Sequence, residues 1–198
     1  MCSFPKRIQL DGNCVKVGDD VVEMKSAVVT TVNNYKYIYL STLEGCKTPE
    51  DVMKGGKNLQ LAFSPTLLDK YVEFNAFGHD FDADKDFFQA VFMDVDEYNR
   101  NDDYEPVSVS SYDWNDYYSE GLLQVSFAGG KLALNLEATP KKGETLFAAQ
   151  YNGAYIEVVA NENHFIVDGK ADVDFTVFSI KKYKGALKGH YEGNVTRL

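Results

Sequence analysis

Positive charge is what this sequence has least of: 20 Lys and Arg face 30 Asp and Glu, for a net charge of −10. No Lys/Arg cluster reaches the density that grips a phosphate backbone, so nucleic acid is excluded as a partner. No apolar run approaches the roughly 18–20 residues of a membrane helix, so no transmembrane segment is expected. Residues 1–20 carry charges throughout and lack the apolar centre of a signal peptide, which leaves a cytoplasmic chain or one whose leader has been removed. Cysteine is rare. Cys2, Cys14 and Cys46 show no CxxC or Cys/His zinc spacing. Free thiols are the expected state, with a Cys14–Cys46 disulfide as the alternative in an oxidising compartment. Catalytic motifs are missing as well: there is no G-x-S-x-G elbow, no H-E-x-x-H and no P-loop. His79, His164 and His190 lie far apart in sequence. The reading is therefore non-enzymatic.

Aromatic residues are plentiful, with 13 Tyr and 13 Phe beside a single Trp. Such residues suit pleated, half-buried surfaces. Period-two alternation recurs along the chain, punctuated by turn signals at short intervals, which predicts an all-β protein. Ile8 and Leu10 are expected to pair with Val17 and Val15 across a Gly12-Asn13 turn, leaving Cys14 on the opposite face. A second hairpin is expected from 28–32 and 35–40 around Asn33-Asn34, a dipeptide that tolerates positive φ. Thr48 and Pro49 open a short helix predicted over 48–55. Leu59, Leu61 and Phe63 alternate in a strand, as do Val72, Phe74 and Ala76. Residues 87–93 are apolar on both faces and read as a central strand, and 94–105 as an acidic loop.

The C-terminal half carries an internal repeat. Leu132-Ala-Leu-Asn-Leu-Glu-Ala138 leads through Lys141-Lys142 to Phe147-Ala-Ala-Gln-Tyr-Asn-Gly153. Val173-Asp-Phe-Thr-Val-Phe-Ser179 leads through Lys181-Lys182 to Leu187-Lys-Gly-His-Tyr-Glu-Gly193. A hairpin cannot bury its apolar face alone, so two copies stacked in one sheet are expected. The prediction is one domain over 1–198, with an antiparallel meander at 119–198 holding the duplicated hairpin, 132–153 and 173–193. Its fold class is an antiparallel two-sheet sandwich or a flattened, lipocalin-like barrel with one short helix.

The closing Leu187-Lys-Gly-His-Tyr-Glu-Gly193 resembles the last hairpin of many small β-domains in gut-bacterial surface lipoproteins. The opening resembles the same group through its Asp11-Gly12 hairpin, Ser26-Ala27-Val28-Val29 and Tyr37-Ile-Tyr-Leu-Ser-Thr-Leu-Glu-Gly45. These stretches cover about half the chain, and their motifs are structural. The resemblance implies export to the cell surface or periplasm. Cys2 then stands where a lipid anchor would be attached.

Two constellations carry candidate chemistry. Asp80, Asp82, Asp84 and Asp86 alternate in a pattern that can converge on Ca2+, although the spacing departs from an EF-hand at Lys85 and Val91. Tyr112, Asp113, Trp114, Asp116, Tyr117 and Tyr118 put aromatic platforms beside carboxylates, the combination that stacks on sugar faces while accepting from hydroxyls. Of the 30 acidic residues, 13 lie within 79–120. The leading expectation is an exported β-domain that binds a glycan or another extracellular ligand. The alternatives are a structural or adhesive envelope component acting through contacts with an envelope protein, and a lipocalin-like carrier of a small apolar ligand.

Overall fold

The computed structural model describes residues 8, 10–32, 34–75, 86–111, 118–141, 145–158, 170–177 and 187–194, with side chains except at 74–75, 170–177 and 187–194. The chain forms two compact units, Met1–Val158 and Val159–Leu198.

The first unit is an all-β sandwich. Sheet 1 runs, edge to edge, β2 (Asp20–Glu23), β1 (Cys14–Val17), β11 (Phe147–Ala154), β10 (Lys131–Pro140), β9 (Tyr118–Ala128) and β6 (Tyr71–Asn75). Sheet 2 runs β12 (Ile156–Val158), β3 (Ser26–Val32), β4 (Tyr35–Ser41), β5 (Lys57–Phe63), β7 (Phe88–Asp94) and β8 (Val107–Ser110). Strict alternation builds the layer between them. Leu132, Leu134, Leu136 and Ala138 on β10 are fully buried, as are Leu59 and Phe63 on β5, and all belong to one core cluster. Phe88 and Phe147 join them at zero exposure. Each such side chain contributes about 1.5–3 kcal/mol of burial. Packed side chains occupy the space between the sheets, and the arrangement is a sandwich.

The hairpin at 28–40 forms as expected: β3 and β4 pair Val32 with Tyr35, and Asn34 takes a φ of 68° in the turn. The N-terminal hairpin does not. Val17 pairs with Asp20 across Gly18-Asp19, so the partner of β1 is β2, and its other edge is taken by β11. Val22 takes the place opposite Val15 that Leu10 was expected to take, while Val21 turns outward, and Gly18 adopts a φ of 59° in the turn. Ile8 and Leu10 lie on the outer side of sheet 1 instead.

Thr48 does cap a helix, α1 (Pro49–Val52), through a reciprocal capping box with Asp51, but it spans a single turn. The acidic stretch after β7 is not a loop throughout: it contains a second helix, α2 (Val95–Arg100). Asp94 accepts from the N–H groups of Asp96 and Glu97 at 3.1 and 3.0 Å, Arg100 closes the last turn, and Val95 is buried. Cap and dipole outweigh the density of acids. β7 is an interior strand between β5 and β8, but it buries one face, with Phe88, Ala90 and Phe92 inward and Gln89 exposed.

β9, β10 and β11 form the expected meander, which β12 then interrupts by pairing parallel with β3. In the second unit, β13 (Lys170–Val177) and β14 (Leu187–Asn194) form a two-stranded antiparallel sheet of their own rather than extending the sheet of β10 and β11. The backbone register of the two hairpins departs from the repeat of the side-chain pattern. Val173 pairs with Tyr191 and Ala171 with Gly193, as Leu134 pairs with Tyr151 and Leu132 with Gly153. Pairing thus matches Leu132 to Ala171, two residues before Val173, its match by side-chain pattern.

Candidate functional site

Two outer faces flank the core of the first unit. On sheet 1, register lays one row across all six strands: Glu23, Cys14, Gln150, Asn135, Gln124 and Tyr71. The parallel row beside it contains Lys16, Ala148, Glu137, Leu122 and Glu73. These positions alternate with the buried leucines and valines of the same strands, so each amide stands on the outside because its neighbours are committed to the core. The three amides sit side by side on β11, β10 and β9. Asn135 Nδ2 donates to Gln124 Oε1 at 3.5 Å.

The N-terminal segment turns this row into a groove. Ile8 and Leu10 lie over it, and the space of about 320 Å³ is lined by them together with Leu122, Gln124, Asn135, Glu137 and Gln150. Three bonds fix that segment. Ile8 N–H donates to Glu137 Oε2 at 3.4 Å, Gln150 Nε2 donates to the Gly12 carbonyl at 3.2 Å, and Asn152 N–H donates to Asn13 Oδ1 at 2.7 Å. One wall is therefore aliphatic and the floor is polar. At the edge beyond Gln124, Tyr71 stands 44% exposed. A primary amide carries donors and acceptors together, so a row of three can serve neighbouring hydroxyls of either sense.

The outer face of sheet 2 has a different chemistry. Its central rows are Val28, Tyr39, Gln60, Val91, Ser108 and Thr30, Tyr37, Ala62, Gln89, Ser110, with Val32 opposite Tyr35 beyond them. The Tyr37 and Tyr39 rings stack with centroids 6.5 Å apart and 15° between planes. Cys46 and Val52, from the loop after β4 and from α1, cover Val28 and the inner edge of Tyr39 at one end. Burial, with Tyr37 and Glu50 nearby, raises the Tyr39 phenol above its ordinary pKa.

Among the residues singled out from sequence, Tyr112, Asp113, Trp114, Asp116 and Tyr117 lie outside the described residues. Tyr118 opens β9 and is buried in the core cluster, at 6% exposure. Asp80, Asp82 and Asp84 also lie outside them, and Asp86 stands half-buried just before β7. Among the described residues, no three His, Cys, Asp or Glu converge on a point that could hold a metal. Cys14 and Cys46 are free and buried. Cys14 is on the outer side of sheet 1 and Cys46 over the outer side of sheet 2, with the core between them. Burial, and next the charge of Asp11, raise the Cys14 thiol above its ordinary pKa. No described helix is long and apolar enough to cross a membrane.

The amide groove escaped sequence reasoning because its members come from separate strands and from the N-terminal segment, Ile8 and Glu137 lying 129 residues apart in the chain. The outward positions of each strand carry the only signal. Comparison with protein-family models, with curated proteins and with solved structures finds no match to this chain.

Proposed function

We propose that this protein is a non-enzymatic, exported surface β-domain that binds a glycan in the groove on the outer face of sheet 1. The row Gln150–Asn135–Gln124 carries the reading. Three amides, each carrying donors and an acceptor, are flanked by the Glu137 carboxylate and backed by Ile8, Leu10 and Leu122. Hydroxyls need such partners, while the aliphatic wall takes the apolar edge of a sugar ring and Tyr71 offers a ring face next in line. Among the described residues the lining holds one carboxylate, Glu137, where glycosidases of the ordinary kind use a pair, and the reading is accordingly one of binding. Export and attachment at the surface follow from the resemblance of the opening and closing motifs.

The test is calorimetric titration of the full chain with a panel of soluble polysaccharides, with calcium or chelator present. Saturable binding is expected with at least one of them. Asn135→Ala and Gln124→Ala are each expected to weaken it about tenfold, the value of a lost hydrogen bond in a partly dry site. Affinity that survives both substitutions but disappears in Trp114→Ala would move the site to 112–118. Loss of binding in chelator would bring Asp80–Asp86 into it.

A further inference from the structure

Alternation along β5 sends Leu59, Leu61 and Phe63 into the core and leaves Asn58 and Gln60 on the outer side of sheet 2. Met53, the C-cap residue of α1, sits against both amides, and Asn58 is buried to 0% exposure. A buried primary amide needs partners for its N–H groups and for its oxygen. The Asn58 oxygen has one, since Gln60 Nε2 donates to it at 3.3 Å. Among the described residues, the only acceptor for the Asn58 nitrogen is the Met53 sulfur, 3.6 Å away. Gln60 Nε2 donates to that same sulfur at 3.2 Å. A thioether is a weak acceptor, so two donors converge on an atom that satisfies neither well.

We infer that Met53 is a modification site, at which hydrogen peroxide oxidises the thioether to the sulfoxide and the Asn58 and Gln60 amides receive the new oxygen. A sulfur lone pair attacks one peroxide oxygen and the O–O bond breaks. The departing hydroxide takes the proton of the transferred oxygen and leaves as water, and sulfur has given up two electrons. Met53 is half-buried and open to an oxidant this small, whereas Met24 is sealed at 1% exposure. An oxygen bridging sulfur and an N–H group sets sulfur and nitrogen roughly 3.9 Å apart by ordinary bond geometry. Asn58 Nδ2 stands 3.6 Å from the sulfur already. The unbranched Met53 side chain can turn the oxygen towards both amides. Met93 is also half-buried but has no such pair, its one amide contact being Gln60 Nε2 at 4.0 Å. Oxidation ordinarily loosens the packing around a methionine. At Met53 it gives two poorly met donors a strong acceptor and ties α1 to β5. Val52 of α1, with Cys46, covers Val28 and the edge of Tyr39, so the modification tightens that cover.

The experiment is mild hydrogen peroxide treatment of the full chain, followed by dithiothreitol to return oxidised thiols, peptide mass mapping and a thermal melt. Free methionine in the same tube serves as the reactivity reference. One added oxygen is expected on Met53, with the melting temperature raised by about 2–4 °C, the shift that one stronger hydrogen bond gives in a chain of this length. Met53→Leu, taken through the same treatment, is expected to show no rise. Gln60→Leu is expected to take up the oxygen at Met53 and to lose most of the rise. A melting temperature that fails to rise when Met53 is oxidised overturns the inference. So does a Met53 that stays a thioether at doses that oxidise the free methionine, or a rise that either variant keeps in full.

Discussion

The two outer faces of the sandwich share a scaffold and differ in what their strands place on it. Sheet 1 exposes amides and carboxylates in ordered rows, roofed on one side by Ile8 and Leu10. Sheet 2 exposes tyrosines, small hydroxyl residues and aliphatics, with no charge among the rows through its tyrosines. Both sheets spend the same apolar pattern on the same core, so the difference was free to arise at positions that folding does not constrain. Outward positions are the ones a sandwich leaves open to function, and here the two sides differ in chemistry: amides and carboxylates on one, an uncharged tyrosine-bearing surface on the other.

The largest effect expected from a single change tests that separation of core from face. Leu134→Ala empties a fully buried site and should cost about 3–5 kcal/mol by urea denaturation, whereas Asn135→Ala, the next residue on β10, should stay within about 0.5 kcal/mol. Comparable losses at both would mean that the outer row is structural. Next comes a crossed design. Ala62→Arg, which brings charge between Tyr37 and Gln89 on the outer face of sheet 2, is expected to leave the affinity of the groove unchanged, whereas Asn135→Ala should weaken binding about tenfold. Calorimetry on the two variants together shows whether the faces are independent.

A smaller effect separates the faces by titration. Cys14, on the outer side of sheet 1, and Tyr39, on the outer side of sheet 2, both have raised folded-state pKa values. An acid whose pKa rises on folding contributes stability that is complete below its unfolded value and lost as pH climbs towards the folded one. Stability should thus fall from about pH 9, where an unfolded thiol ionises, and fall further above about pH 10 for the phenol. Cys14→Ser should remove the first part of that loss and Tyr39→Phe should shrink the second, as followed by melting temperature against pH. The smallest effect lies at the acid end. The Lys54 ammonium, with the Lys47 and Thr48 N–H groups, holds the Asp51 carboxylate at about 2. Its stabilisation of α1 is present above the ordinary carboxylate range and is lost as pH falls towards 2. Asp51→Asn should flatten that limb slightly and leave the rest of the profile unchanged.

What could be read from the sequence was whatever a single strand announces by itself. Leu132, Leu134 and Leu136 declare an inward face, Asn33-Asn34 a turn, and Thr48-Pro49 a helix start, because each signal is local. The partner of β1 was not legible: Leu10 across Gly12-Asn13 and Val22 across Gly18-Asp19 each offer Val15 an aliphatic partner, and only register shows that β2 takes one edge and β11 the other. α2 was hidden by its acids, which read as a solvated loop until Asp94 is seen capping it. The groove and the neutral face were out of reach for a deeper reason. Each is a row across a sheet, and a row has no address in the chain until register assigns one.

β12 closes the first unit, and its three residues hold to β3 by a short parallel ladder, with Lys36 and Glu157 joined beside it. In mechanical terms it is a fuse. The chain beyond Val158 leaves through this strand, so tension applied from that side reaches three ladder pairs and one exposed ion pair before it reaches any buried leucine. Pulling on the two ends should therefore give a short, low-force release first, with the sandwich still intact behind it.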